Sequence, residues 1–207
     1  QGDLVERFLD RYLPFVRLAE QNGITPVFPP LEPGGDYWDL SFLRKAFLLV
    51  SQRRTLEFGA NLHIAVSAQS FNNPIDWGNG GESKWRMPRP YAKTEIGEQD
   101  HFGLNTYQWY AQIARKTLNS SPKFILLYMG TAEQKTNSMD DTLDYSELVD
   151  LVLDSENETQ SGFSISKNVI ACIFWLMNTP KKKETQNTIK TTLIEIDEDT
   201  KPEWIED

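Results

Sequence analysis

The sequence predicts an α/β fold built on a parallel sheet, and three observations carry that expectation. Helical segments and short apolar runs alternate four times between residues 4 and 177. The turns that enter the apolar runs are short, namely Asn22-Gly23, Phe58-Gly59-Ala60 and Ser120-Ser121-Pro122. The segments that leave them are long and rich in polar and aromatic residues. Parallel strands need crossover helices, and sites in such folds form from the loops at the carboxyl ends of the strands.

Residues 4–20 place Val5, Phe8, Leu9, Tyr12, Val16 and Ala19 near one face at helical spacing, with Asp3 as an N-cap. Pro14 inside that pattern predicts a kink or a break, and Asn22-Gly23 supplies the stop. Ile24 to Phe28 reads as a short strand ended by Pro29-Pro30. A helix over 41–56 follows from Phe42, Leu43, Ala46, Phe47, Leu49, Val50 and Leu56, capped by Ser41 or Asp39. Leu62 to Ala68 is a buried strand, and 104–118 a helix that buries Tyr107, Tyr110, Ala111, Ala114 and Leu118. KFILLYM, Lys123 to Met129, is the clearest strand, a continuous apolar run of the sort found in a sheet covered on both faces. Tyr145 to Leu153 is a short helix and Val169 to Met177 a fourth buried strand. Residues 1–180 thus read as one domain, and 181–207 as a polar and acidic tail with a short strand near Thr191 to Ile196.

At 207 residues, 39% hydrophobic and 25% charged, the chain is long enough to bury a real core. Its net charge of −9 repels nucleic-acid phosphates and anionic lipid, so neither nucleic acid nor membrane is an expected partner. The single cysteine, Cys172, excludes an internal disulfide and a cysteine-based zinc site. Neither metal nor cofactor is expected. No apolar run reaches the roughly 18 residues of a spanning helix, and the first residues lack the order of a signal peptide, so the expectation is a soluble chain.

Ser70 to Gly103 has no helical or strand period, and loops of that length carry function or are disordered. Its aromatic residues argue against disorder, and its carboxylates and glycines point to a polar ligand with apolar faces. Residues 31–40, LEPGGDYWDL, resemble it in kind. The expected site gathers loops 29–40, 69–103 and 130–143 and the end at Asn178.

The segments PVFPPLEPGGDYWD (26–39), DWGNGGESKWRMPRPY (76–91) and EQDHFGLNTYQWY (98–110) resemble an uncharacterised bacterial group, familiar from cyanobacteria, with glycoside-hydrolase-like barrels. The resemblance spans about residues 20–180. It implies a TIM-like parallel β/α barrel, of which four units are half, so that the chain is part of a barrel or a smaller open sheet. It also implies a carbohydrate or other polar small ligand. The strand-end Asn-Glu pair of many barrel glycosidases is absent, since Asn178 precedes Thr179 and Pro180.

Glycoside hydrolysis needs two facing carboxyl groups. Asp36 and Asp76 are the preferred pair, each beside an aromatic residue and a glycine turn, with Glu98 and Asp100 as further catalytic candidates. For any one of them the favoured reading is a turn-capping carboxylate. Trp38, Trp77 and Trp85 are candidate stacking platforms and Tyr37 and Tyr91 candidate hydrogen-bonding partners, or else these rings fold the loop onto the sheet. His101 reads as an acid/base oriented by Asp100 or, the favoured reading, as a surface or helix-capping residue. Rival readings are a non-catalytic glycan or peptide-binding module and a structural half-barrel that needs upstream sequence.

Overall fold

A computed structural model of the chain describes residues 2–53, 62–71, 73–130, 145–153 and 165–174. Four helices and four strands alternate: α1 (Gly2–Gln21), β1 (Val27–Phe28), α2 (Asp39–Gln52), β2 (His63–Gln69), α3 (Thr106–Leu118), β3 (Lys123–Gly130), α4 (Tyr145–Leu153) and β4 (Val169–Phe174). A 3-10 turn, Gly81–Ser83, interrupts the expected irregular loop. The tail from residue 181, the 130–143 exit loop beyond Gly130, and Asn178 lie outside the described residues.

Helix α1 buries Val5, Leu9, Tyr12, Val16 and Ala19 at the expected spacing. Pro14 does not break it, because the residue sits on the solvent face, where water can satisfy the carbonyl its ring leaves unbonded. The end is a Schellman arrangement: Ile24 N–H donates to the Ala19 carbonyl and Gly23 N–H to that of Glu20, with Gly23 at φ 71°. That cap consumes Ile24, which is 62% exposed, so β1 is two residues long rather than the expected five from Ile24 to Phe28.

The sheet is parallel throughout, ordered β1-β2-β3-β4. Right-handed crossovers between strands that advance in one direction place every connecting helix on the same face. The core agrees. Residues of all four helices share one buried cluster with Phe28, Ile64, Val66, Ala68, Phe124 and Leu126. The alternate residues Ala65, Ser67, Ile125 and Leu127 lie outside that cluster, on the opposite face. Among the described residues β3 is therefore covered by helices on one face, with Ile125 and Leu127 of the other face half-buried. Its burial alternates, and Ala171 and Ile173 of β4, expected to be buried, are exposed. Among the described residues the sheet is open, with β1 and β4 at its edges.

Candidate functional site

Because the strands are parallel, the loops leaving β1 and β2 emerge at the same edge. They meet there. The Trp38 ring lies 5.3 Å from His101, 6.2 Å from Phe102 and 6.0 Å from Tyr91, so the first exit loop packs on the later half of the second. Gly34, at φ 77°, permits that approach, since a Cβ there would stand 3.1 Å from the Phe102 ring.

A stripe of side chains on α3 and just before it holds the long loop. Asn105 Nδ2 donates to the carbonyls of Ile75 (3.0 Å) and Trp77 (2.9 Å), and Trp109 Nε1 to that of Gly78 (3.1 Å). Gln108 Oε1 accepts from Gly80 N–H at 2.7 Å, and Gln112 Nε2 donates to the Gly80 carbonyl at 2.8 Å. These partners satisfy backbone groups that a loop without ladder bonds would otherwise leave unpaired. Sequence reasoning missed them. Their signal was present, since 105, 108, 109 and 112 follow the i, i+3, i+4, i+7 spacing of one helix face.

Asp100, 8% exposed, accepts hydrogen bonds from Trp77 Nε1 (2.8 Å), Phe102 N–H (3.0 Å) and the Thr94 hydroxyl. Those three donors occupy the carboxylate and close the segment from Thr94 to Phe102 into a compact turn. Trp77 is half-buried by the same contact, and Trp85, also half-buried, donates its indole N–H to the Asn79 carbonyl at 2.9 Å. Glu82 ties the 3-10 turn to the helices through Arg44 of α2 (3.0 Å) and Lys116 of α3.

His101 differs from its favoured sequence reading. It is neither a surface nor a capping residue but fully buried, with its Nε2 2.9 Å from Asp39 Oδ1. Asp39, also fully buried in the first turn of α2, accepts the Tyr110 hydroxyl at 2.8 Å on its other oxygen. A helix amino terminus favours a carboxylate there. Burial, and then the Asp39 charge, holds the Tyr110 phenol well above its ordinary range, so it remains a donor. Apolar rings enclose the imidazole, with Phe102 at 4.5 Å and Trp109 at 6.2 Å, which is why it left the surface. His101 Nδ1 has no hydrogen-bond partner. The contact with Asp39 is thus the one hydrogen bond of this ring among the described residues.

Asp36 and Asp76 are exposed on the two exit loops, and Glu98 is half-buried. No hydrogen bond joins Asp36 to Asp76 among the described residues. Tyr37 is half-buried against Phe42, 5.1 Å between ring centroids, and burial raises its phenol. Tyr91 is 73% exposed. Its backbone stands at φ 60°, and Phe71 (52°) and Tyr128 (58°) at the ends of β2 and β3 share that left-handed region, which bulky side chains rarely enter. Strain of this kind collects at binding rims. Next to Tyr91 in sequence, residues 86–89, 92–95, 98 and 99 line an open cavity of about 200 Å³.

Among the described residues no group of His, Cys, Asp and Glu is placed to hold a metal ion, and no helix is long and apolar enough to cross a membrane. No protein-family model, curated protein or solved structure matches the chain.

Proposed function

We propose that the chain is a carbohydrate-active protein of the glycoside-hydrolase-like β/α-barrel kind, taking saccharide at the carboxyl rim of its sheet. The observation that carries this reading is Tyr91, an exposed ring in a left-handed backbone, buttressed by Trp38 and beside an open cavity. A ring so presented suits the C–H face of a sugar while its hydroxyl bonds to the rim. The strand order, with every helix on one face, is the winding that eight units would close into a barrel.

In this reading catalysis falls to Asp36, Asp76 and Glu98, because Asp100 is saturated by its three donors and His101 is sealed in the core. Hydrolysis needs two of the carboxyl groups about 5–10 Å apart across the scissile bond. A second reading, glycan binding without turnover, draws on the same loss of two candidates to structural work.

A glycan panel scored for both binding and new reducing ends tests the proposal. Saccharide affinity is expected to fall at least about tenfold in Tyr91→Ala, a loss of about 1.4 kcal/mol. Asp36→Asn and Asp76→Asn are expected to abolish turnover while leaving affinity within a few-fold. Binding without turnover selects the second reading, and a chain with no saccharide affinity ends both.

A further inference from the structure

We infer that the rim cavity beside Tyr91 is a subsite for a carboxylated sugar, a hexuronate unit of an acidic glycan. The inference rests on the carbohydrate reading above and narrows it to one substrate class.

The cavity wall carries three cations, Arg86, Arg89 and Lys93, against two carboxylates, Glu95 and Glu98. That balance is opposite in sign to the chain as a whole, at −9. One of its two carboxylates is in an ion pair, and the other receives a single backbone contact. Glu95 stands 3.5 Å from Arg86 Nη1, and Glu98 accepts the Arg86 backbone N–H at 3.4 Å. Arg89 and Lys93 have no ion-pair partner among the described residues. A wall with more cations than carboxylates attracts an anion, and a guanidinium offers a carboxylate a paired set of parallel donors.

The size selects among anions. Drug-sized pockets hold roughly 300–1,000 Å³. At about 200 Å³ this cavity takes one small ring of a longer ligand, not the whole of it. Tyr91 stands at the edge of the wall and not in its lining, bonded to Ala92, which does line it, so an exposed aromatic ring and two cations come from one short stretch. A ring whose C–H face rests on a phenol while its edge carries a negative group meets both features at once. A neutral sugar uses only the first, and an inorganic anion only the second.

The test is calorimetric titration of the whole chain with oligogalacturonate, with the matching neutral oligogalactoside and with sodium sulfate, repeated on Arg89→Ala, on Lys93→Ala and on the double variant that combines them. Both substitutions are on exposed side chains, and circular dichroism checks that the fold is kept. Oligogalacturonate is expected to bind at least tenfold more tightly than the neutral oligomer. The preference is expected to shrink as salt is raised and to vanish in the double variant, which keeps the residual affinity for neutral sugar. Equal affinity for both oligomers, unmoved by the substitutions, overturns the acidic-sugar inference and leaves the carbohydrate reading intact. Sulfate binding as tight as oligogalacturonate, with the neutral oligomer unbound, reduces the cavity to a plain anion site and overturns both. No binding of any probe overturns both as well.

Discussion

Replacing Asp39 by alanine tests the buried polar cluster most directly. The carboxylate accepts from His101 Nε2 at 2.9 Å and from the Tyr110 hydroxyl at 2.8 Å, and neither donor has water to turn to. Each buried group left without a partner costs about 1–3 kcal/mol, so two orphaned donors give roughly 2–6 kcal/mol. Removing one member of a buried pair gives about 3–5 kcal/mol, which places the expected loss near 4. With a urea slope of about 2 kcal/mol per molar, the midpoint falls by about 2 M. Tryptophan fluorescence reports the transition, since Trp38 and Trp109 both stand against His101. Asp39→Asn should cost less, because its amide oxygen can still accept from one of the two donors, so that only one is orphaned. The triple variant Asp39→Ala/His101→Phe/Tyr110→Phe removes every polar member together and is expected to be more stable than Asp39→Ala alone. A midpoint shift under about 0.5 M for Asp39→Ala, or a triple variant less stable than that single one, refutes the claim that the cluster is dry and mutually satisfied.

Other outcomes follow from single residues. Gly78→Ala is expected to cost at least about 2 kcal/mol, since φ is 71° and a Cβ would stand 2.4 Å from the Asp100 carbonyl; Gly97→Ala, at φ 87° with open space around it, should cost only about 1 in the same urea assay. Pro14→Ala restores a helix hydrogen bond on an exposed face and should raise the melting temperature by a few degrees in a thermal scan. Burial lifts the Cys172 thiol to about 11 from 9.0, so alkylation of the folded chain should be slow at pH 8 and rise towards pH 11, whereas the urea-unfolded chain should react near pH 9. The same shift carries a stability term, whole below pH 9 and lost as pH climbs to 11, because the unfolded thiol gives up its proton first. Burial likewise raises the phenols of Tyr12, Tyr37, Tyr107 and Tyr110 above their ordinary value of 10.0, so a spectrophotometric titration should find these four mostly protonated at pH 10 in the native chain and half-ionised there in the urea-unfolded one.

Local periodicity made the helices and the parallel order legible, because 3.6-residue spacing and short apolar runs are properties of a few consecutive residues. Tyr145 to Leu153 falls where the pattern puts it, and α3 begins two residues late. Burial of the sheet was not legible in the same way. KFILLYM is apolar at every position but its first, and the run is equally compatible with two covered faces or one. Only the strand order, a long-range fact, decides for one. The site divides along the same line. Exposed Asp36 and Asp76 sit in turns, as short-range chemistry suggests. His101 depended on Asp39, 62 positions away in sequence, and nothing in the string EQDHFG announces that partner. The residues that hold the long loop were visible as a spacing but concealed by type, since Asn105, Gln108 and Gln112 look like ordinary solvent-facing amides until their backbone partners are in place.

That division bears on how the rim works. The loop leaving β2 has two regions with different demands. Residues 75–85 and 99–102 are fastened by side-chain hydrogen bonds to α3 and to one another, and their indoles and Asp100 serve that fastening. Residues 86–98 carry few such bonds, and they hold the exposed Tyr91, the cavity and its unopposed cations. A recognition surface must keep polar groups unspent until its ligand arrives, whereas a scaffold must leave none unpaired. Aromatic and charged residues therefore divide by position and not by type: Trp77 and Asp100 belong to the scaffold, and in the proposed reading Tyr91 and Arg89 belong to the surface. Substitutions in the first region should lower stability and affinity together. Those in the second should lower affinity alone, and comparing urea midpoints with titration curves for Trp77→Phe and Tyr91→Phe separates the two.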